Sequence, residues 1–193
     1  MEKTTNLNKN IYYPPGGILM WIIIFLELFT FGAALLALAY YSKENPEEYH
    51  QSRLLLNPVF GTINTIFLLT SGYFMARAVG FYKKNERKKT NQFLILTMVG
   101  GLLFLVLKSI EYSMKIEHGY TISYDTFFSF YWFLTLFHVI HVLVGLVILV
   151  SIYIGINKKE SETKLEDIEA SAAFWHMCDL IWLILFPMLY LIL

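Results

Sequence analysis

The chain has 193 residues, 56% of them hydrophobic and only 16% charged, with a mean hydropathy of +0.53. Soluble domains carry about a quarter charged residues, so this composition sets the ordinary soluble classes aside and points to a membrane protein. A formal net charge of zero argues against nucleic acid as a partner, and the single cysteine, Cys178, excludes an intrachain disulfide.

Residues 1–16 read as a polar N-terminal segment that Pro14-Pro15-Gly16-Gly17 closes before the first apolar run. Five apolar stretches follow, at 17–41, 59–82, 91–112, 126–156 and 170–193. Each is long enough for a helix across about 30 Å of hydrocarbon, which takes about 20 residues. Short polar connections join them, so residues 17–193 are expected to form one all-α domain, a bundle of five transmembrane helices. Asn57-Pro58 punctuates the entry to the second helix, and Pro187 inside the fifth predicts a kink. The first run reads as a retained anchor. Ala37-Leu38-Ala39 resembles a cleavage site, but the run is too long for a signal-peptide core and holds Glu27 in its middle.

With five crossings, the N-terminus and the second and fourth loops share one side. Eleven of the fifteen Lys and Arg residues fall there, including Lys3, Lys9, the run Lys83–Lys89 and Lys159; Lys43, Arg53, Lys108 and Lys115 make up the other four. That bias places the N-terminus in the cytoplasm and the C-terminus at Leu193 outside, and sets the basic loop against anionic lipid headgroups. The same orientation holds for a cytoplasmic membrane and for its organelle equivalent.

Ionisable groups at membrane depth are costly, so each demands a reason. Glu27 lies near the middle of the first helix, and His138 and His141 near the middle of the fourth. His176 and Asp179 fall about 9–14 Å into the fifth at 1.5 Å per residue. All five are expected to meet at similar depth. Asn64, Lys108 and Glu111 sit nearer the outer surface, and Lys108 and Glu111 are an i, i+3 pair able to neutralise each other.

Three chemistries compete for these groups. HxxH on one helix face with a carboxylate supplies potential metal or haem ligands, yet HExxH and paired ExxH motifs are absent. Glu27, a carboxyl group among leucines and phenylalanines, suits proton conduction. Interhelical hydrogen bonding is the third reading, at roughly 0.6 kcal/mol per bond inside a membrane. For His176 and Asp179 this last reading is preferred, with the pair tying the fifth helix to the fourth. Trp175 and Trp182 read as a packed stripe, and Gly72, Gly100, Gly101 and Gly145 as positions of close helix approach.

Taken in order, these residues resemble the cytochrome c oxidase subunit III family of the haem-copper oxidases. Trp175-His176-Met177-Cys178-Asp179-Leu180-Ile181-Trp182 is similar to the family's WHxxDxxW ending, and His138, His141 and Gly145 to its HxxHxxxG helix. Glu111-Tyr112 is similar to the EY pair closing the preceding helix, and Asn64-Thr65 with Leu68-Leu69-Thr70-Ser71 to the NTxxLLxSS-like helix. Glu27 within FLELFTFG falls where the family carries a carbodiimide-reactive carboxylate. The resemblance runs from Met20 onward. Mitochondrial-type members have seven helices; this chain resembles the short five-helix members. Its GGILMWIIIFLELFTFG and INTIFLLTSGYFMARAV runs resemble NorE-type proteins associated with nitric oxide reductase.

The resemblance implies an accessory subunit of an oxidoreductase complex, with no catalytic centre and no cofactor of its own. Haem and copper or iron would belong to a catalytic subunit I, with subunit II as a further partner. This chain would pack beside them, among membrane lipids, and support assembly, stability and proton supply. Either oxygen or nitric oxide would be the terminal acceptor. Glu27 would be the proton-related residue, and Asn64, Glu111, His138, His141, His176 and Asp179 would be structural. The alternatives are a stand-alone transporter or proton channel, which the lack of an inverted repeat disfavours, and a histidine-containing membrane metalloenzyme.

Overall fold

The computed structural model describes residues 16–158 and 163–192. Lys3, Lys9, Pro14, Pro15, Lys159, Glu162 and Leu193 lie outside the described residues. The elements are α1 (Ile18–Glu44), α2 (Pro46–Leu54), α3 (Pro58–Lys83), α4 (Arg87–Glu117), α5 (Thr126–Asn157) and α6 (Leu165–Pro187), followed by a π-helical turn at Met188–Ile192. Five of them, α1, α3, α4, α5 and α6 with its π-helical turn, are long and apolar enough to cross a membrane. The chain is an all-helical, multi-pass membrane protein.

The expected spans differ from the observed helices mainly at their ends. The third reaches beyond 91–112 in both directions, because Arg87, Lys88 and Lys89 form its first turn and Lys115 lies on its buried face. The fifth starts earlier than 170, at Leu165, where Asp167 accepts from the backbone N–H of Lys164 at 2.8 Å. Pro187 does not simply kink it: the α-helix passes into the π-helical turn there, as the missing N–H and the ring of proline force a local change of pitch.

The short helix α2 is an addition to the expected bundle. Asn45-Pro46-Glu47-Glu48 is a helix start, with proline at the first position and two acids toward the positive end of the dipole. Tyr49 on α2 is buried edge-to-face on Phe127, with ring centroids 5.7 Å apart. Ser52 donates to Asp125, the N-cap of α5, and Arg53 donates to the carbonyl of Leu191 at 2.7 Å. One end of the bundle is thereby closed by α2. At the other end, Lys83 pairs with Glu169 at 2.8 Å, and Asn91 donates to Asn157 at 2.7 Å.

Helix α6 is the most deeply buried and α1 the least. Buried residues surround α6 on nearly every side, as expected of a central helix. Its two tryptophans fix it in place. The Trp175 indole donates to Ser71 at 3.0 Å, and Ser71 donates onward to the Thr97 carbonyl at 2.8 Å, linking α6, α3 and α4. Trp182 donates to Thr65 on α3 at 3.0 Å. Gly101 and Gly145 make room for the Trp175 ring: a Cβ at either would lie 2.6 or 2.9 Å from it. The expected close approach therefore occurs at these glycines.

Candidate functional site

The five ionisable residues expected to gather at one depth separate into three places. Glu27 and His141 form the first. Glu27 projects from α1 one turn beyond Ile24, on the edge of the face that buries Ile24, Phe31, Leu35 and Leu38. Its carboxylate oxygen Oε2 lies 3.1 Å from His141 Nε2 on α5. The approach meets the distance of an ion pair but is misaligned as a hydrogen bond. His141 Nδ1 is 2.8 Å from the Phe137 carbonyl, which only accepts, so the imidazole carries a proton on Nδ1 and turns Nε2 toward Glu27. Nε2 is thus the ring nitrogen that faces the carboxyl. Phe31, Phe137 and Phe174 wall the imidazole, and the Glu27 side chain keeps 25% of its surface exposed.

His138 occupies the second place, alone. It is fully buried among Phe31, Phe104 and Trp182, and neither ring nitrogen has a hydrogen-bond partner among the described residues. The i, i+3 spacing from His141 puts both on one broad face, yet the interlocked aromatic rings hold them in separate pockets. Asn64 on α3 is buried in the same unpartnered manner.

His176 and Asp179 form the third place, with Nδ1 and Oδ2 3.4 Å apart. The pair does not tie the fifth membrane helix to the fourth as expected. It faces α3: a Cβ added at Gly72 would meet the Asp179 carboxylate. The reason is rotational. Trp175 wedges against Gly101 of α4 and Gly145 of α5 with its N–H on Ser71 of α3, and Trp182 packs on Phe104 of α4 with its N–H on Thr65 of α3. This leaves the His176 edge of α6 at a shallow groove of about 380 Å³ lined by Gly72, Tyr73 and Ala76.

A fourth cluster lies toward the α2 end. Lys108 donates to Glu111 at 3.0 Å, to Tyr131 on α5 at 3.1 Å and to Tyr190 in the π-helical turn at 2.8 Å. Tyr131 and Tyr190 both donate to the other Glu111 oxygen, at 3.0 and 2.7 Å. Lys108 and Glu111 are almost wholly buried. An ammonium has three donors and a carboxylate two oxygens, so this network satisfies both charges within the protein. The Lys108–Glu111 spacing is visible in the sequence. The two tyrosines are not, since nothing local singles them out from the chain's thirteen.

Among the described residues, no three His, Cys, Asp or Glu side chains come together as metal ligands. His141 is engaged by Phe137 and Glu27, and His138 has aromatic rings where further ligands would have to be. Two or more N, S or O donors converging on one point, as a copper site needs, are not found among these histidines.

Comparison with known proteins identifies the family. A family model described as cytochrome c oxidase subunit III matches residues 17–192. The chain is 29% identical over 182 residues to "Cytochrome c oxidase subunit 3" of Synechocystis, covering 91% of this chain and 74% of that protein. It is 28% identical over 187 residues to the protein of that name from Corynebacterium diphtheriae, covering 92% and 89%. Against the Drosophila melanogaster protein the identity is 34% over 129 residues, 66% of this chain. The matched stretch spans about half, 48%, of that insect protein's length.

Proposed function

We propose that this chain, which belongs to the cytochrome c oxidase subunit III family, is an accessory subunit of a haem-copper respiratory complex and carries no redox centre of its own. It packs in an energy-transducing membrane, in the first instance a bacterial cytoplasmic membrane, beside a catalytic subunit I and with it subunit II. Haem and copper or iron belong to that catalytic subunit. The single observation that carries the reading is what the chain's buried polar residues are used for. Lys108, Glu111, Tyr131 and Tyr190 satisfy one another, Trp175 and Trp182 bind α3, and His138 is sealed among rings. These contacts fix helices.

Glu27 with His141 is the exception, a carboxyl–imidazole pair reaching the least covered helix. In the proposed role it supports proton supply to the catalytic subunit, and the remaining residues support assembly and stability. The relatives named above are oxidase subunits by name, which favours oxygen over nitric oxide as the acceptor of the parent complex.

The test is purification of the tagged chain from its native membrane at native expression. We expect a large haem-bearing subunit, recognised by its reduced-minus-oxidised spectrum, to elute with it and to consume oxygen. Nitric oxide consumption instead would move the chain to a reductase complex. Elution of the chain free of any haem protein would end the accessory-subunit reading.

A further inference from the structure

At the α2 end of the bundle, a cavity of about 290 Å³ lies between the start of α3 and the end of α4, lined by Leu55, Asn57, Phe60, Glu111, Lys115 and His118 among others. Lys115 is only 6% exposed. Its ammonium rests near the rings of Tyr131 and Phe128, at 5.4 and 5.8 Å from their centroids. Among the described residues it has no hydrogen-bond acceptor and no carboxylate within ion-pair distance. Glu111, the carboxylate lining the same cavity, already takes Lys108, Tyr131 and Tyr190 on its two oxygens. Lys108 in turn uses all three of its donors. Two buried cations therefore share one committed carboxylate, and Lys115 is the one left over.

An ammonium this deeply placed with no acceptor among the described residues is costly, and Lys115 lines the cavity, where an acceptor can reach it. The rest of the wall favours an anion. The 26-residue helix α3 begins at Asn57-Pro58 and directs the positive end of its dipole at this space. Asn57 Oδ1 is occupied by the Val59 N–H at 3.0 Å, which leaves its amide NH₂ as a donor. His118 stands exposed at the mouth with Nδ1 against the Met114 carbonyl at 2.6 Å. The end of α4 is held rigidly: Gly119, at φ 79°, lets its own N–H reach the Ile116 carbonyl and that of Tyr120 reach the Lys115 carbonyl, at 3.0 and 2.9 Å.

We propose that this cavity binds a phosphate-type oxyanion, either free phosphate or the headgroup of a phospholipid in the adjoining leaflet, with Lys115 as its principal contact. The volume is near the lower bound of small-molecule sites, about 300–1,000 Å³, and leaves ample room for a phosphate group. Leu55 and Phe60 offer an apolar edge along which acyl chains can leave.

The full-length chain in a neutral, phosphate-free detergent would be titrated with inorganic phosphate and, separately, with phosphatidylglycerol. Native mass spectrometry and calorimetry would be the readouts. We expect saturable binding of at least one probe, weakened about ten-fold or more by Lys115→Met and retained by Lys115→Arg. His118→Asp, at an exposed position that leaves the core untouched, should weaken binding in the same direction and decides the matter if Lys115→Met does not fold. Phosphate binding without phosphatidylglycerol binding assigns the site to the free anion; the converse assigns it to the lipid. Saturation by neither probe, or wild-type affinity in the folded variants that remove or oppose the charge, overturns the proposal.

Discussion

Glu27 on α1 and His141 on α5 bring a carboxylate oxygen and an imidazole nitrogen to 3.1 Å, joining two helices far apart in the chain. The Phe137 carbonyl occupies the other ring nitrogen, so the histidine meets Glu27 with a fixed nitrogen. Removing the imidazole leaves the carboxyl without a proton acceptor or counter-charge. Hydrophobic carbodiimides attack the neutral acid. We expect dicyclohexylcarbodiimide to label Glu27 in preference to Glu47 and Glu48 on the exposed α2, and His141→Phe to raise the labelling rate. Mass spectrometry of labelled peptides reads both, and an unchanged rate in His141→Phe would mean that the contact does not govern the carboxyl. In an assembled complex, Glu27→Gln should retain substantial turnover, as suits a supporting proton residue; complete loss would make Glu27 essential.

Removing one charge from the Lys108–Glu111 network strands the other. Glu111→Gln should cost about 3–5 kcal/mol, because Lys108 stays buried without its counter-ion. Lys108→Met combined with Glu111→Leu should recover most of that loss. Unfolding titrations in mixed micelles measure both, and equal damage from the single and double variants would show that burial of the pair is not the controlling factor.

Gly101 and Gly145 are predicted to resist even a methyl group. The Trp175 ring that an added Cβ would meet is fully buried and hydrogen-bonded to Ser71, so it has nowhere to retreat. Each alanine substitution should destabilise by about 1–3 kcal/mol. Gly80→Ala, where nothing lies within 4 Å of the new methyl, should instead be neutral or stabilising by up to about 1 kcal/mol. Thermal unfolding of the three variants side by side is the check.

His176 and Asp179 should couple weakly. Their contact is 3.4 Å and the histidine side chain is 45% exposed, so a double-mutant cycle with alanine should give about 1 kcal/mol or less. Full additivity would show that the two side chains do not interact.

Topology is open to direct labelling. Single cysteines at Lys84 and at Ser123, in a chain whose native Cys178 is buried, should react from opposite sides of the membrane. The basic bias predicts that Ser123→Cys reacts with an impermeant reagent in intact cells and that Lys84→Cys does not. The reverse pattern would invert the assignment.

The five spans were readable because crossing hydrocarbon requires long apolar runs, a property each segment carries by itself. The Lys108–Glu111 pair was readable for the same reason: i, i+3 spacing on a helix is local geometry. The family motifs also singled out Glu27, His141, Trp175 and Asp179. What those residues touch was decided elsewhere. Spacing alone grouped His138 with His141, yet packing sealed one among rings and gave the other to Glu27. It set His176 and Asp179 toward α3 rather than α5, because the larger Trp175 and Trp182 rings claimed the orientation of α6. It also left Lys115 beside a cavity with its donors unused, although in sequence it is one lysine near a helix end. Helix rotation about its own axis is set by the bulkiest side chains of several helices at once, and no single segment contains that information.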